Sequence, residues 1–227
     1  MTANELRANL ETELAWRQEE LAFFKNQLSN ITDSEKERYR KSLVLILYSH
    51  FEGYVKISIQ TYIQHLNSLL LKRREVNTNL LVTGMHKEFQ AYDNLDRKCE
   101  CFKRELPEDS KLHRFFRRVD LMEKIEEFKL EILSIDDQII DIGSNLWYIV
   151  LQKNLYKIGL PVDLFKEYKS DIDGLVNRRN SIAHGNFRSG VTEQEYEKWE
   201  SKTNIIMEDI TRCLYDYAKN KKYLSSY

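Results

Sequence analysis

The side chains best suited to proton transfer lie in one short segment, Arg178-Arg179-Asn180-Ser181-Ile182-Ala183-His184-Gly185-Asn186. Of the five histidines, only His184 has an arginine five to seven positions upstream; His50, His65, His86 and His113 have none. One such match arises readily by chance, so the spacing needs its context. The segment closes an amphipathic pattern whose apolar stripe is already filled by Leu175, Val176 and Ile182, which leaves Arg179 and His184 off the core side. Gly185 fits the left-handed position just past a helix end and puts His184 in the last turn. There the helix dipole favours imidazolium while the neighbouring guanidiniums oppose it. An imidazole balanced in this way can both accept and donate protons near neutral pH. The same residues also suit a plain C-terminal cap in which His184 and the arginines complement the dipole. Residue physics leaves both readings open.

Other chemistries lack their residues. There is no Gly-rich phosphate loop, His-Glu-x-x-His, Cys-x-x-Cys pair or Gly-x-Ser-x-Gly elbow. Asp136, Asp137 and Asp141 form a carboxylate cluster in an expected loop without a partner histidine, and read as solvation and helix capping. Cys99, Cys101 and Cys213 have neither zinc-site spacing nor the even count of a disulfide framework, and read as reduced thiols. No metal and no cofactor is expected.

The scaffold that must position these residues reads as helical. A chain of 227 residues suits one large domain or two small ones, and seven glycines and two prolines are too few for turn-rich β or Rossmann-type folds. The balance of 35 basic and 36 acidic side chains, net charge −1, is unlike that of a protein that coats nucleic acid, so any such contact must be local. Glu5, Arg7, Glu11 and Glu13 interrupt any signal-peptide pattern, and the apolar run Leu43 to Tyr48 is too short for a bilayer. A soluble, cytoplasmic protein with no membrane contact is expected.

Residues 5–29 read as a helix, with Leu14, Leu21 and Leu28 seven apart and Leu10 and Phe24 on the adjoining stripe. This seam can pack within the fold or against a second copy. Ser34 and Glu37 have the form of a capping box opening a helix to about Lys72, whose core face is Val44, Leu47, Tyr48, Phe51, Val55, Ile59, Tyr62, Ile63 and Leu66. Helix is assigned from Glu75 to Leu106, and again from Leu112 to Leu133, where Phe115, Phe116, Val119, Met122, Ile125 and Phe128 form an apolar face. Arg97, Lys98, Lys103, Arg104, Lys111, Arg114, Arg117 and Arg118 make this region basic, and Asp120 to Asp141 is acidic in turn. Such runs are usually solvated faces, with an RNA contact as the other reading. Ser134 to Ser144 reads as a loop, and Asn145 to Ile158 as a helix ended by Gly159. Pro161 starts the next, which carries Leu164, Phe165, Tyr168, Ile172, Leu175, Val176 and Ile182 inward and ends near His184-Gly185. Thr192 and Glu195 form a second capping box, with Val191 and Tyr196 as a hydrophobic staple, for a last helix to about Lys221. No linker or repeat divides the chain.

At this point the sequence resembles a known family. Arg179-Asn180-Ser181-Ile182-Ala183-His184-Gly185 is similar to the R-x(4–6)-H motif of HEPN proteins, and Asn180 fills the polar place after the arginine, which selects Arg179 over Arg178. Tyr48-Ser49-His50-Phe51-Glu52-Gly53-Tyr54 resembles the aromatic-Glu-Gly signature of the RiboL-PSP-HEPN and MAE-type HEPN-like nucleases. Ser144-Asn145-Leu146 with Ile158-Gly159-Leu160 resembles their S-N-L and hydrophobic-G-L block. These pieces span about residues 40–215 in the expected order.

The resemblance implies an all-α, HEPN-like helical bundle with long antiparallel helices and an added N-terminal helix. It implies a single domain over 1–227, with 1–30 as an accessory or dimerisation element and 75–135 as a helical insertion with a basic face. It further implies a metal-independent endoribonuclease whose two R-x(4–6)-H motifs face each other in a homodimer, often in anti-phage defence or toxin–antitoxin systems. Arg179 and His184 would be catalytic with Asn180 assisting by orienting phosphate or holding the imidazole. Arg178, Asn186 and Arg188 would contact RNA, and Glu52 would support the site or pair with an arginine. His50 lies on another face and reads as ordinary. The partners implied are RNA, a tRNA loop being one candidate, a second copy, and an antitoxin or defence-system protein. No tyrosine follows His184 at the spacing of a modification motif, since Phe187 and Arg188 stand there, so control by nucleotidyl transfer is not expected. The alternative is a catalytically silent HEPN domain used for binding or dimerisation in a larger defence complex.

Overall fold

The longest apolar repeat builds the longest helix. In the computed structural model, which describes residues 1–101, 109–141, 143 and 145–225, helix α2 (Asp33–Ser68) buries all nine of the core residues expected of it. Around it lie α1 (Ala3–Asn26) and α8 (Glu193–Lys219) on one side and α7 (Lys169–Ala183) on another, with α6 (Tyr148–Lys157) against α7. One buried apolar cluster runs through these five helices. Helices α3 (Thr78–Gly84), α4 (His86–Asp93) and α5 (Ser110–Leu130) form a peripheral group. About 75% of the described residues are helical, and no strand occurs among them. Among those residues no helix is long and apolar enough to cross a membrane.

Helix α1 packs inside this arrangement. Leu6 and Leu10 are fully buried and Leu14 and Leu21 nearly so, against α2 and α8. Thr2 and Glu5 cap its start reciprocally. The Ser34–Glu37 capping box does not form; α2 begins two residues earlier, with Thr32 as N-cap and its hydroxyl on the Glu35 carboxylate. The box at Thr192 and Glu195 does form, and Val191 and Tyr196 are both buried beside it. Gly159 takes the left-handed conformation (φ +79°) and ends α6. The following helix starts at Lys169 rather than at Pro161, because Phe165 turns left-handed (φ +61°) and interrupts the chain there.

The middle region departs most from expectation. The stretch from Glu75 holds two short helices, and the chain is irregular from Asn94 to Cys101. In α5 only Arg117 is buried. Leu121 and Phe128 turn towards α4, whereas Phe115, Val119 and Met122 face outward and are exposed. Both sides of this helix carry apolar residues, so periodicity finds a stripe without saying which side the core takes. The basic residues here are partly consumed locally: Arg97 pairs with Asp120 at 2.7 Å, and Arg117 donates to the Arg97 carbonyl at 3.1 Å. Lys103, Arg104 and Leu106, and Ser144 of the S-N-L block, lie outside the described residues.

Two measurements test this packing. Leu10→Ala removes a fully buried side chain between three helices and should lower the unfolding free energy by about 2–5 kcal/mol in urea titration; a change within error would mean that α1 is peripheral. His65 is buried with Nδ1 against the Met1 carbonyl oxygen (3.0 Å), and burial lowers its pKa from the ordinary 6.5. The unfolded chain therefore takes up the proton first. The native state keeps its stability above pH 6.5 and loses it as the pH falls below that value. His65→Gln should flatten that part of the profile, with half-buried His50, shifted the same way, retaining its share.

Candidate active site

Three segments far apart in the chain converge on one phenol. Tyr48 of α2 buries its ring in the core and brings its hydroxyl to the edge of α7. That hydroxyl accepts the Leu146 N–H at 2.8 Å and donates to the Glu52 carboxylate one turn further along α2. Burial, with the Glu52 hydrogen bond as the next cause, pushes the phenol above its ordinary range, so it keeps the proton it donates. Leu146 is fully buried, so its N–H would otherwise be an orphan donor.

Arg179 of α7 lies on this assembly. Its guanidinium carbon sits 4.8 Å from the Tyr48 ring centroid, within cation–π range. Its Nη1 donates to Asn145 Oδ1 and to Asn180 Oδ1, each at 2.9 Å. Asn145 Oδ1 also lies 3.5 Å from the Tyr48 hydroxyl. No acceptor among the described residues engages Nε or Nη2 of Arg179. Asp173 of α7 accepts the Tyr148 N–H at the start of α6 (2.9 Å), which fixes the 145–148 segment against α7. Gly174 permits the close approach of α8, because a Cβ there would stand 2.6 Å from the Trp199 ring.

His184 is the C-cap residue of α7, and Gly185 turns left-handed (φ +73°) directly after it. The imidazole is exposed and has no hydrogen-bond or ion-pair partner among the described residues. The chain then folds back, with the Phe187 N–H donating to the Ser181 carbonyl at 3.0 Å. Arg178 donates to Glu195 Oε1 at 3.0 Å and covers the Phe187 ring at 4.2 Å, while Lys41 Nζ donates to the Phe187 carbonyl at 2.6 Å. Glu195 therefore serves both Arg178 and the N-terminus of α8. Asn186 and Arg188 are exposed.

Of the residues singled out from the sequence, Arg179 and Asn180 are joined directly, and Glu52 is linked to them through Tyr48. Glu52 meets no arginine among the described residues, because Tyr48 on its own helix face reaches it first. Asn180 holds Arg179 rather than the imidazole. Arg178 is engaged with Glu195, and His184, Asn186 and Arg188 stand in solvent. Tyr48 and Asn145 were not expected to contact the motif arginine; their presence in the two resembling blocks was the available signal. Among the described residues no three His, Cys, Asp or Glu side chains gather as a metal site.

An all-α bundle that ends one helix on an exposed histidine, with an anchored arginine a turn earlier, has the form of a HEPN domain. The family model of MAE_28990-like HEPN proteins matches residues 6–223, and the chain belongs to that family. HEPN domains are generally ribonucleases or nucleotide-binding modules, and they commonly dimerise. No curated protein and no solved structure matches the chain.

Tyr48→Phe keeps the ring beneath Arg179 but leaves the buried Leu146 N–H without its acceptor. The expected cost is about 1–3 kcal/mol in chemical unfolding. Glu52→Gln, which can still accept from the phenol, should cost less; the reverse order would show that the carboxylate charge, and not the hydroxyl, organises this corner.

Proposed function

We propose that the protein is an endoribonuclease that cleaves RNA without a metal ion, at a site built from Arg179 and His184 and completed by a second copy. The observation that carries this reading is the contrast between two side chains of one helix end. Among the described residues, Arg179 is anchored by Nη1 with its other N–H groups unused, and His184 is exposed and unpartnered.

The residue types fit cleavage by the adjacent 2′-hydroxyl. A base removes the 2′ proton, the O2′–P bond forms as the P–O5′ bond breaks, and an acid gives a proton to O5′. His184 supplies proton transfer. Arg179 supplies donors whose planar fork matches the phosphate oxygens as charge builds on them. One helix end offers a single imidazole, whereas a two-fold pairing offers two, one as base and one as acid. Asn180 assists by steadying Arg179, and Glu52 supports the site through Tyr48. Asn186 and Arg188 meet the RNA backbone, as does Arg178 once released from Glu195. The near-balanced net charge of −1 favours a presented target such as a tRNA loop over bulk RNA. The family resemblance supports a cytoplasmic role in anti-phage defence or as a toxin–antitoxin effector, with a cognate partner protein.

The test incubates wild type, Arg179→Ala and His184→Ala with total RNA in EDTA and maps the cleaved ends. Wild type should leave 2′,3′-cyclic phosphate and 5′-hydroxyl ends, and His184→Ala should be about 10²–10⁴-fold slower. Ends carrying 5′-phosphate, loss of activity to the chelator, or equal cleavage by all three proteins would refute the mechanism. Absence of cleavage by any of them would favour a binding or dimerisation module.

A further inference from the structure

We infer that Arg179 engages phosphate side-on, through its Nε–Nη2 edge, and that Asn145 and Tyr48 are positioning residues that dictate this by occupying Nη1 and the guanidinium face. The inference rests on the ribonuclease reading for its substrate, but its geometry comes from contacts alone.

A guanidinium has two edges that can meet a phosphate with paired N–H groups: the end-on Nη1–Nη2 edge and the side-on Nε–Nη2 edge. In Arg179 the end-on edge is compromised. Both Nη1 hydrogens are committed, one to Asn145 Oδ1 and one to Asn180 Oδ1, each at 2.9 Å. The ring of Tyr48 occupies one face of the plane at 4.8 Å. What is left is Nε–H and the Nη2 hydrogens. These atoms are not sealed in the interior, since the buried unpartnered arginine nitrogens among the described residues belong to Arg17, Arg73 and Arg117 and not to Arg179. A donor pair held in a fixed plane and open to a ligand is what an oxyanion requires of a preorganised site.

The two positioning residues act in different ways. Asn145 fixes rotation in the guanidinium plane, because moving Nη1 off its oxygen breaks a 2.9 Å bond. Tyr48 fixes the tilt of that plane, and is itself immobilised by the Leu146 N–H and Glu52. Asn180 shares the first task, but it is a neighbour in sequence on the same helix and moves with Arg179. Asn145 alone ties Nη1 to a separate segment, 34 residues away in the chain.

The full-length protein tests this with two readouts. In the first, kcat and KM are measured on an oligoribonucleotide taken from the wild-type cleavage map. Asn145→Ala should lower kcat by about 10²-fold with KM little changed, since a misplaced donor pair is lost mainly in the transition state. Arg179→Lys, which keeps the charge but has no edge, should fall as far as Arg179→Ala. In the second, the Arg179 Nε–H resonance, assigned by its disappearance in Arg179→Lys, is followed as inorganic phosphate is added. It should shift saturably in wild type and much less in Asn145→Ala, with both proteins unchanged in far-UV circular dichroism. If Asn145→Ala equals wild type in both readouts, or if Arg179→Lys retains full activity, the inference fails. If wild type cleaves nothing but the phosphate shift depends on Asn145, the positioning stands and the ribonuclease reading falls. If neither cleavage nor a phosphate shift occurs, both fall.

Discussion

A guanidinium drawn partly out of water must find acceptors and a polarisable face, or its burial costs more than the fold can spare. Arg179 finds two amide oxygens and one aromatic ring, and they come from α2, from the segment before α6 and from α7 itself. The arrangement of those three elements follows from that need. Tyr48 can serve only if its hydroxyl is satisfied, which places Glu52 one turn along the same helix and the Leu146 N–H above it. Leu146 can reach it only if α6 is anchored on α7, which Asp173 does. The polar corner and the apolar core are thus one construction: the buried Tyr48 ring belongs to the core and its hydroxyl to the site.

Positive charge at the helix end is graded rather than massed. Arg178 is offset by Glu195, Lys41 is spent on a backbone carbonyl, and Arg179 keeps part of its donor set. This agrees with the near-zero net charge of the whole chain. A highly basic helix end would bind any polyanion and be screened by salt. A single oriented guanidinium instead favours a ligand presented at one angle.

The sequence made the main helices legible because their signals are local. The α2 stripe, the Thr192–Glu195 box and the Gly159 and Gly185 stops each depend on residues within a few positions of one another. Failures came where the deciding contact was distant or where two local signals competed. Thr32 displaced Ser34 as N-cap, and nothing between them ranks one hydroxyl over the other. Phe165 delayed α7 by adopting a conformation that its residue type does not announce. In α5, apolar residues on opposite sides left the inward face undetermined until α4 was in place. Within the site, Arg179, Asn180 and His184 were legible from spacing and resemblance. Tyr48 read as a core residue within one resembling block and Asn145 as a helix start within another, neither as a partner of Arg179, since the contacts that give them that role span 131, 97 and 34 positions when read from Tyr48 to Arg179, Tyr48 to Asn145 and Asn145 to Arg179.

The turn at Gly185 carries a consequence of its own. A Cβ there would meet no atom within 4 Å, yet the backbone sits at φ +73°. Glycine is therefore demanded by torsion and not by room. A bulkier residue would fit without a clash but would strain the backbone by about 1–2 kcal/mol, and relief of that strain would swing the imidazole before it. The core would register nothing. Such a change would leave a protein sound in every measure of folding, with the His184 ring turned away from its place at the end of α7.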